Sequence, residues 1–250
     1  MSFKKVKGGV CAPRGFRGGA VSCGIKEAGN PRNDLALIYS DHPCVSAGTF
    51  TTNRVKAAPV KVTQAHLRAM DLRAVVANSG NANACTGVPG ITDARAMAKT
   101  VASSLGLRQR EVGICSTGVI GLPLPMERMH DGLGNLPAQL TRDGGREVAE
   151  AIMTSDTTVK EISITTTVGG RKIRIGACAK GAGMICPSMA TMLCFVTTDA
   201  SITKACLQKS LLEAVEESFN RICIDAVSYT HLRAHETKAN RGCRLVREKK

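Results

Sequence analysis

The chain has 250 residues, of which 43% are hydrophobic and 22% charged. That composition can bury a core and excludes a disordered chain, whose low hydrophobicity could not repay the entropy of ordering. The formal charge is +14, from 34 basic and 20 acidic residues, but aromatics are only 3% and Trp is absent, which argues against a stacking platform for single-stranded nucleic acid. Length allows one large domain or two small ones. In chain order, the glycine-rich stretch from Gly8 to Gly19 reads as irregular. Leu35–Ser40 and Ala74–Asn78 read as short buried strands, the second running into a Gly/Asn-rich loop over 79–87. Thr92-Asp93 marks a helix start; Ala94, Met97, Ala98, Val101 and Leu105 form its apolar stripe and Gly106 ends it.

Glu111–Cys115 is a further strand candidate leading into the Ser116–Gly121 loop. Ile162–Val168 and Arg171–Ala179 alternate as strands about a Gly169-Gly170 hairpin turn. Met192–Val196 reads as a buried strand, and Leu207, Leu211, Val215, Phe219 and Ile222 have helical spacing, with Ser201 as cap. Strands grouped between helices suggest an α+β layered sandwich. Eleven cysteines occur without a CxxC pair, so no zinc ribbon or thioredoxin motif is present and no metal is implied; most cysteines are expected to act as small buried hydrophobes in a reducing cytosol. Neither a signal peptide nor a stretch of ~18 apolar residues is visible, so neither export nor a membrane span is expected.

The most informative segment is Lys180-Gly-Ala-Gly-Met-Ile-Cys-Pro-Ser-Met-Ala-Thr-Met-Leu193. A threonine hydroxyl is a poor nucleophile without a base. Cleaving the chain before Thr191 would free an α-amino group of pKa ~8 to serve as that base, and the small Ala190 would let the hydroxyl reach the preceding carbonyl. Taken alone, the segment reads better as a Gly-Pro turn before a buried strand. Cys186 and Cys194 flank the threonine, but no His lies near them in sequence, so both read as packing residues.

Six blocks in order add specificity: Asn78–Gly87, Ser116-Thr-Gly-Val-Ile-Gly121, Ile152-Met-Thr-Ser-Asp-Thr157, Lys180-Gly-Ala-Gly-Met184, Pro187–Leu193 and Ser218-Phe-Asn-Arg221. On these, the stretch from Ser2 to Asp225 resembles the bifunctional glutamate N-acetyltransferase, or ornithine acetyltransferase, family of arginine biosynthesis. The resemblance implies an αββα sandwich of the self-cleaving N-terminal-nucleophile type, incomplete at its C-terminus. It implies cleavage between Ala190 and Thr191, with an α chain over 1–190 and a β chain beginning over 191–225. The implied reaction is acetyl transfer from N2-acetyl-L-ornithine to L-glutamate through an acetyl ester on Thr191. Thr117 and Gly118 would form the oxyanion hole, worth ~3–4 kcal/mol per donor in related chemistry. Thr154, Lys180 and Thr191 would bind substrate, Lys180 through its α-carboxylate. Ser155 stands where the family often has a second Thr.

The resemblance further implies a cytoplasmic enzyme without a cofactor, an α2β2 assembly when complete, and small-molecule partners rather than nucleic acid or membrane. Use of acetyl-CoA as a donor is left open. After Asp225 the resemblance breaks off. Residues 226–250 carry seven basic and two acidic residues, +5 of the +14, and are expected to be a non-native tail. The alternatives are a self-cleaving aminopeptidase or amidase, and an inactive fragment of the acetyltransferase.

Overall fold

The computed structural model describes residues 2–26, 32–183, 185 and 192–222. Two four-stranded sheets face each other. The first contains β1 (Lys4–Lys5), β6 (Lys160–Val168), β7 (Arg171–Lys180) and β8 (Leu193–Thr198), paired antiparallel in the order β1-β6-β7-β8. The second contains β2 (Phe16–Val21), β3 (Leu35–Ser40), β4 (Ala74–Asn81) and β5 (Val112–Val119) in chain order, antiparallel except for the parallel β4–β5 pair. That parallel pair requires a crossover, and α2 (Gly87–Leu105) supplies it.

The second sheet is covered on both faces, which explains why β3 reads as a continuous apolar run rather than an alternation. On one face Leu35, Leu37, Val76, Val112 and Ile114 pack against Met97, Ala98 and Val101 of α2 and against Met129 and Leu133 of α3 (Met126–Asn135). On the other, Ala36, Ile38 and Ala77 meet Val148, Ala149, Ala151 and Ile152 in and after α4 (Gly145–Ala151), with Cys178 of β7 and Phe195 of β8 closing the layer from the first sheet. The helix–sheet–sheet order agrees with the expected α+β sandwich. The register aligns Ile162, Ala177 and Val196 across the first sheet, on the face away from Cys178. There Ile162 and Val196 are 52% and 56% exposed.

Several sequence boundaries shift. Gly8–Gly19 is not wholly irregular, since β2 begins at Phe16. The loop expected over 79–87 is shorter, because β4 runs on to Asn81 and α2 starts at Gly87 rather than Thr92. The Thr92 hydroxyl donates to the Val88 carbonyl one turn back instead of capping. Helix α5 (Lys204–Glu217) is capped by Thr203, whose side chain accepts from the Cys206 amide, not by Ser201. Of its expected stripe only Val215 is buried, and Phe219 lies in a separate short turn. Strand β8 is half-buried rather than buried, since its outward side chains meet solvent. Helix α1 (Ala58–Ala69) and helices α3 and α4 have no counterpart in the sequence reading. In α1 the inward face carries polar residues: the Thr63 hydroxyl donates to Ile114 O and accepts from Ile114 N, and His66 Nδ1 lies 2.8 Å from the Val112 carbonyl. Those side chains satisfy the edge of β5 and break the apolar periodicity that marks a helix.

Ile152 sits between the sheets with no exposure. Ile152→Ala should cost about 2–5 kcal/mol in urea unfolding. A loss below about 1 kcal/mol would contradict the packing described for this layer.

Candidate active site

The C-terminal ends of β4, β5 and β7 converge, and with them the segment that follows α4. Thr117 and Lys180 come from different sheets, 63 residues apart in sequence, and both are buried. The Lys180 Nζ donates to Thr117 Oγ1 at 3.1 Å. An ammonium has no acceptor, so this bond fixes the polarity of the hydroxyl: Thr117 accepts from Lys180, and its own hydrogen points to another partner. Two more donors remain on the ammonium for an anion.

Gly118 follows with φ +133, a conformation that L side chains rarely adopt. A Cβ at Gly118 would lie 2.3 Å from the Gly80 carbonyl carbon. The residue is thus confined to glycine both by its dihedral and by the β4 backbone beside it. The parallel register shifts here, at Gly80 and Asn81, where Asn81 pairs with both Thr117 and Val119 and the two backbones run close together at Gly118. Bulges of this kind commonly re-aim groups at functional sites.

Three asparagines brace that irregularity. Asn78 accepts from the Ser116 hydroxyl at 2.6 Å and donates to Asn81 O at 2.8 Å. Asn81 donates to the carbonyls of Leu122 and Pro123 and accepts from the Asn83 amide. Asn83, held at φ 46, donates to Gly90 O and accepts from the Thr86 hydroxyl. All three side chains are buried, so each missing bond would leave a desolvated polar group. The asparagine-rich composition that reads as a loop suits side-chain bonding to backbone as well as positive φ.

On the other side, Thr154 and Ser155 lie exposed after α4. Asp156, whose side chain is 1% exposed, holds this segment to β7. It accepts from the Gly181 amide at 2.8 Å, from the Thr154 amide at 3.2 Å and from Lys160 Nζ at 2.6 Å. Burial alone would raise its pKa, but the bonds from Lys160, Gly181 and Thr154 together with the Lys160 charge outweigh that and hold the carboxyl below its ordinary range. Lys180 is pushed the other way. Burial lowers its pKa, Asp156 opposes that, and the charges of Lys160 and Lys26 add to it. Lys26 donates to the Asn33 and Ala151 carbonyls, and its own pKa is lowered first by burial. Asp34 and Arg32 act on Lys26 in turn, so the cations Lys180, Lys160 and Lys26 outnumber the carboxylates Asp156 and Asp34, which favours an anionic ligand.

Ala190 and Thr191 lie outside the described residues, as does Cys186. Among the described cysteines, Cys194 has its pKa raised to about 11 and Cys115 to about 12, each by burial, so these thiols stay protonated and are poor nucleophiles. Cys11 and Cys178 are buried as expected, whereas Cys85 and Cys206 are exposed. No described group of His, Cys, Asp and Glu is arranged to hold a metal ion, and no described helix is long and apolar enough to cross a membrane. A separate cleft of about 250 Å³ between residues 46–50, α1 and α5 shares no residue with this site.

The ArgJ family matches residues 17–231 of the sequence. The chain belongs to that family. It is 50% identical over 224 residues to the arginine biosynthesis bifunctional protein ArgJ of Symbiobacterium thermophilum, covering 90% of this chain and 56% of that relative. It is 45% identical over 228 residues to the same-named protein of Bacillus subtilis, covering 91% of this chain and 55% of that one. The chain thus spans a little over half the length of these relatives. Among solved structures it is similar to the ArgJ protein of Bacillus halodurans, with a TM-score of 0.70 and 37% identity over 77% of this chain and 98% of that one. It is likewise similar to the ornithine acetyltransferase of Mycobacterium tuberculosis solved with ornithine, with a TM-score of 0.69 and 41% identity over 76% of this chain and all of the other. Family membership agrees with the fold and with the resemblance read from the six blocks.

Lys180→Met keeps the volume of the stem and removes a desolvated charge. Its unfolding free energy should be unchanged or raised relative to wild type at pH 7. A fall of more than about 1 kcal/mol would show that the ammonium stabilises this fold rather than being held in it at a cost. Asp156 follows the opposite rule: its folded pKa is depressed, so its contribution is present above the ordinary carboxylate range and is lost as pH falls through the folded value. The stability gap between wild type and Asp156→Asn should therefore be present at neutral pH and close in acid. A gap that widens in acid would contradict the bonding described.

Proposed function

We propose that this chain carries the acetyl-transfer site of a glutamate N-acetyltransferase, moving an acetyl group from N2-acetyl-L-ornithine to L-glutamate. The observation that carries the reading is the Lys180–Thr117 bond beside Gly118, a hydroxyl and a backbone N–H held ready for an oxyanion. The names of the relatives and the ornithine bound to the Mycobacterium tuberculosis protein support the substrate class.

The chemistry begins with cleavage before Thr191. The freed amine of Thr191 takes the proton of its own hydroxyl as Oγ attacks the acetyl carbonyl. Negative charge gathers on the carbonyl oxygen, where the Thr117 hydroxyl and the Gly118 N–H donate to it. The C–N bond then breaks, the ornithine amine leaves with the proton from the Thr191 amine, and the acetyl group stays as an ester on Thr191. Glutamate enters, its amine attacks the ester through the same oxyanion site, and N-acetylglutamate leaves as Thr191 regains its proton. Lys180 faces the α-carboxylate of either amino acid, with Thr154 beside it. No metal or prosthetic group takes part in these steps. In this reading the working assembly is an α2β2 tetramer in the cytoplasm, residues 1–190 forming the α chain, and acetyl-CoA serves at most as a second donor.

Denaturing mass spectrometry should find two polypeptides that meet at Ala190/Thr191, and one uncut polypeptide in Thr191→Ala. Incubation with acetylornithine and glutamate should then give more N-acetylglutamate than free acetate. Uncut wild-type chain would overturn the nucleophile, and acetate as the main product would turn the reading to a hydrolase.

A further inference from the structure

Asp156 belongs to none of the roles assigned so far, yet it touches both halves of the site. Its carboxylate accepts from the amide of Gly181, the residue after Lys180, and from the amide of Thr154. Its side chain is 1% exposed, while that of its ion partner Lys160 is 42% exposed. Lys160 can reach water; Asp156 and Lys180 are sealed inside together. Any interaction between those two charges is therefore less screened than a surface pair.

Building on the acetyltransferase reading, we propose that Asp156 is a positioning residue: it clamps the Thr154 segment to the end of β7 and supplies the counter-charge under which Lys180 donates to Thr117. The consequence reaches the oxyanion site through one hydrogen. When Lys180 is an ammonium, Thr117 must accept from it and keeps its hydrogen for the oxyanion. A hydroxyl that accepts from a cation is also the stronger donor. When Lys180 is a neutral amine, it becomes an acceptor and competes for that same hydrogen. The charge on Asp156 decides which arrangement prevails. The groups facing Lys180 are Asp156, Lys160 and Lys26, with Thr117 as its hydrogen-bond partner, and Asp34 faces Lys26 in turn. Only Asp156 among those acting on Lys180 favours the ammonium.

The test is the titration of Lys180 in protein carrying 13C-labelled lysine, its 13Cε signal assigned by its loss in Lys180→Met. Asp156→Asn keeps an acceptor for the Gly181 amide, removes the charge and gives up the acceptor that faces the Thr154 amide. The Lys180 midpoint should fall by about 1–3 pH units in that variant, the range for loss of a close opposite charge. Lys160→Met removes a like charge and should raise the midpoint. In acetyl-transfer assays the alkaline limb of the pH profile should move down in Asp156→Asn in step with the titration, and Asp156→Glu should restore it. An unmoved midpoint in folded Asp156→Asn, or a midpoint that falls in Lys160→Met, overturns the proposal. If Asp156→Asn does not fold, Lys160→Met decides alone: a raised midpoint supports it and an unchanged or lowered one overturns it. The titration needs no turnover, so an inactive wild-type protein would defeat the acetyltransferase reading while leaving the counter-charge readable.

Discussion

A lysine ammonium buried between two sheets needs partners, and the site is built around meeting that need. Lys180 ends β7 and crosses to Thr117 at the end of β5. Isolated charge in a protein interior is costly enough that such a group ordinarily loses its proton. Here the fold keeps Asp156 on the neighbouring Gly181 amide and a hydroxyl within hydrogen-bond reach, while burial and two further lysines hold the Lys180 pKa below its ordinary value. A bound carboxylate at this place would favour the ammonium.

The geometry around Thr117 depends on backbone features rather than on catalytic side chains. Parallel strands β4 and β5 shift register here while staying paired, and Gly118 fits against the Gly80 backbone only because it lacks a Cβ. The irregular chain beyond them has backbone groups to satisfy. Asn78, Asn81 and Asn83 take up several of those groups, and Ser79 reaches the Ala151 carbonyl ahead of the Thr154 segment. The asparagine block thus holds Thr117 and Gly118 in place. The α4 layer has a parallel role, since it fills the space between the sheets and sets how near β7 comes to β5.

Much of this was legible in the sequence, for identifiable reasons. Strands β3, β6 and β7 were readable because burial on one or both faces leaves a clear apolar pattern, and the Gly169-Gly170 turn, with both residues at positive φ, fixes the hairpin. Thr117, Gly118, Thr154 and Lys180 came from the resemblance, and the fold brings Thr117 to Lys180 and Thr154 to the Gly181 end of β7. Asp156 was written in a matching block without a role, because nothing in one sequence reveals which amides a carboxylate will meet. Helix α1 stayed hidden because Thr63 and His66 occupy its inward face. The asparagines were read through φ tolerance, while their amides carry the larger part of the structure.

The central claim is that the Thr117 hydroxyl, aimed by Lys180, stabilises charge as an acetyl group moves onto Thr191. The most direct test is the single-turnover rate at which an acetyl group appears on Thr191 after mixing with acetylornithine, in wild type and in Thr117→Val. The account predicts an acetyl ester on Thr191 that forms about 10²–10³-fold more slowly in the variant. Equal rates, or an acetyl group found on another residue, would contradict it.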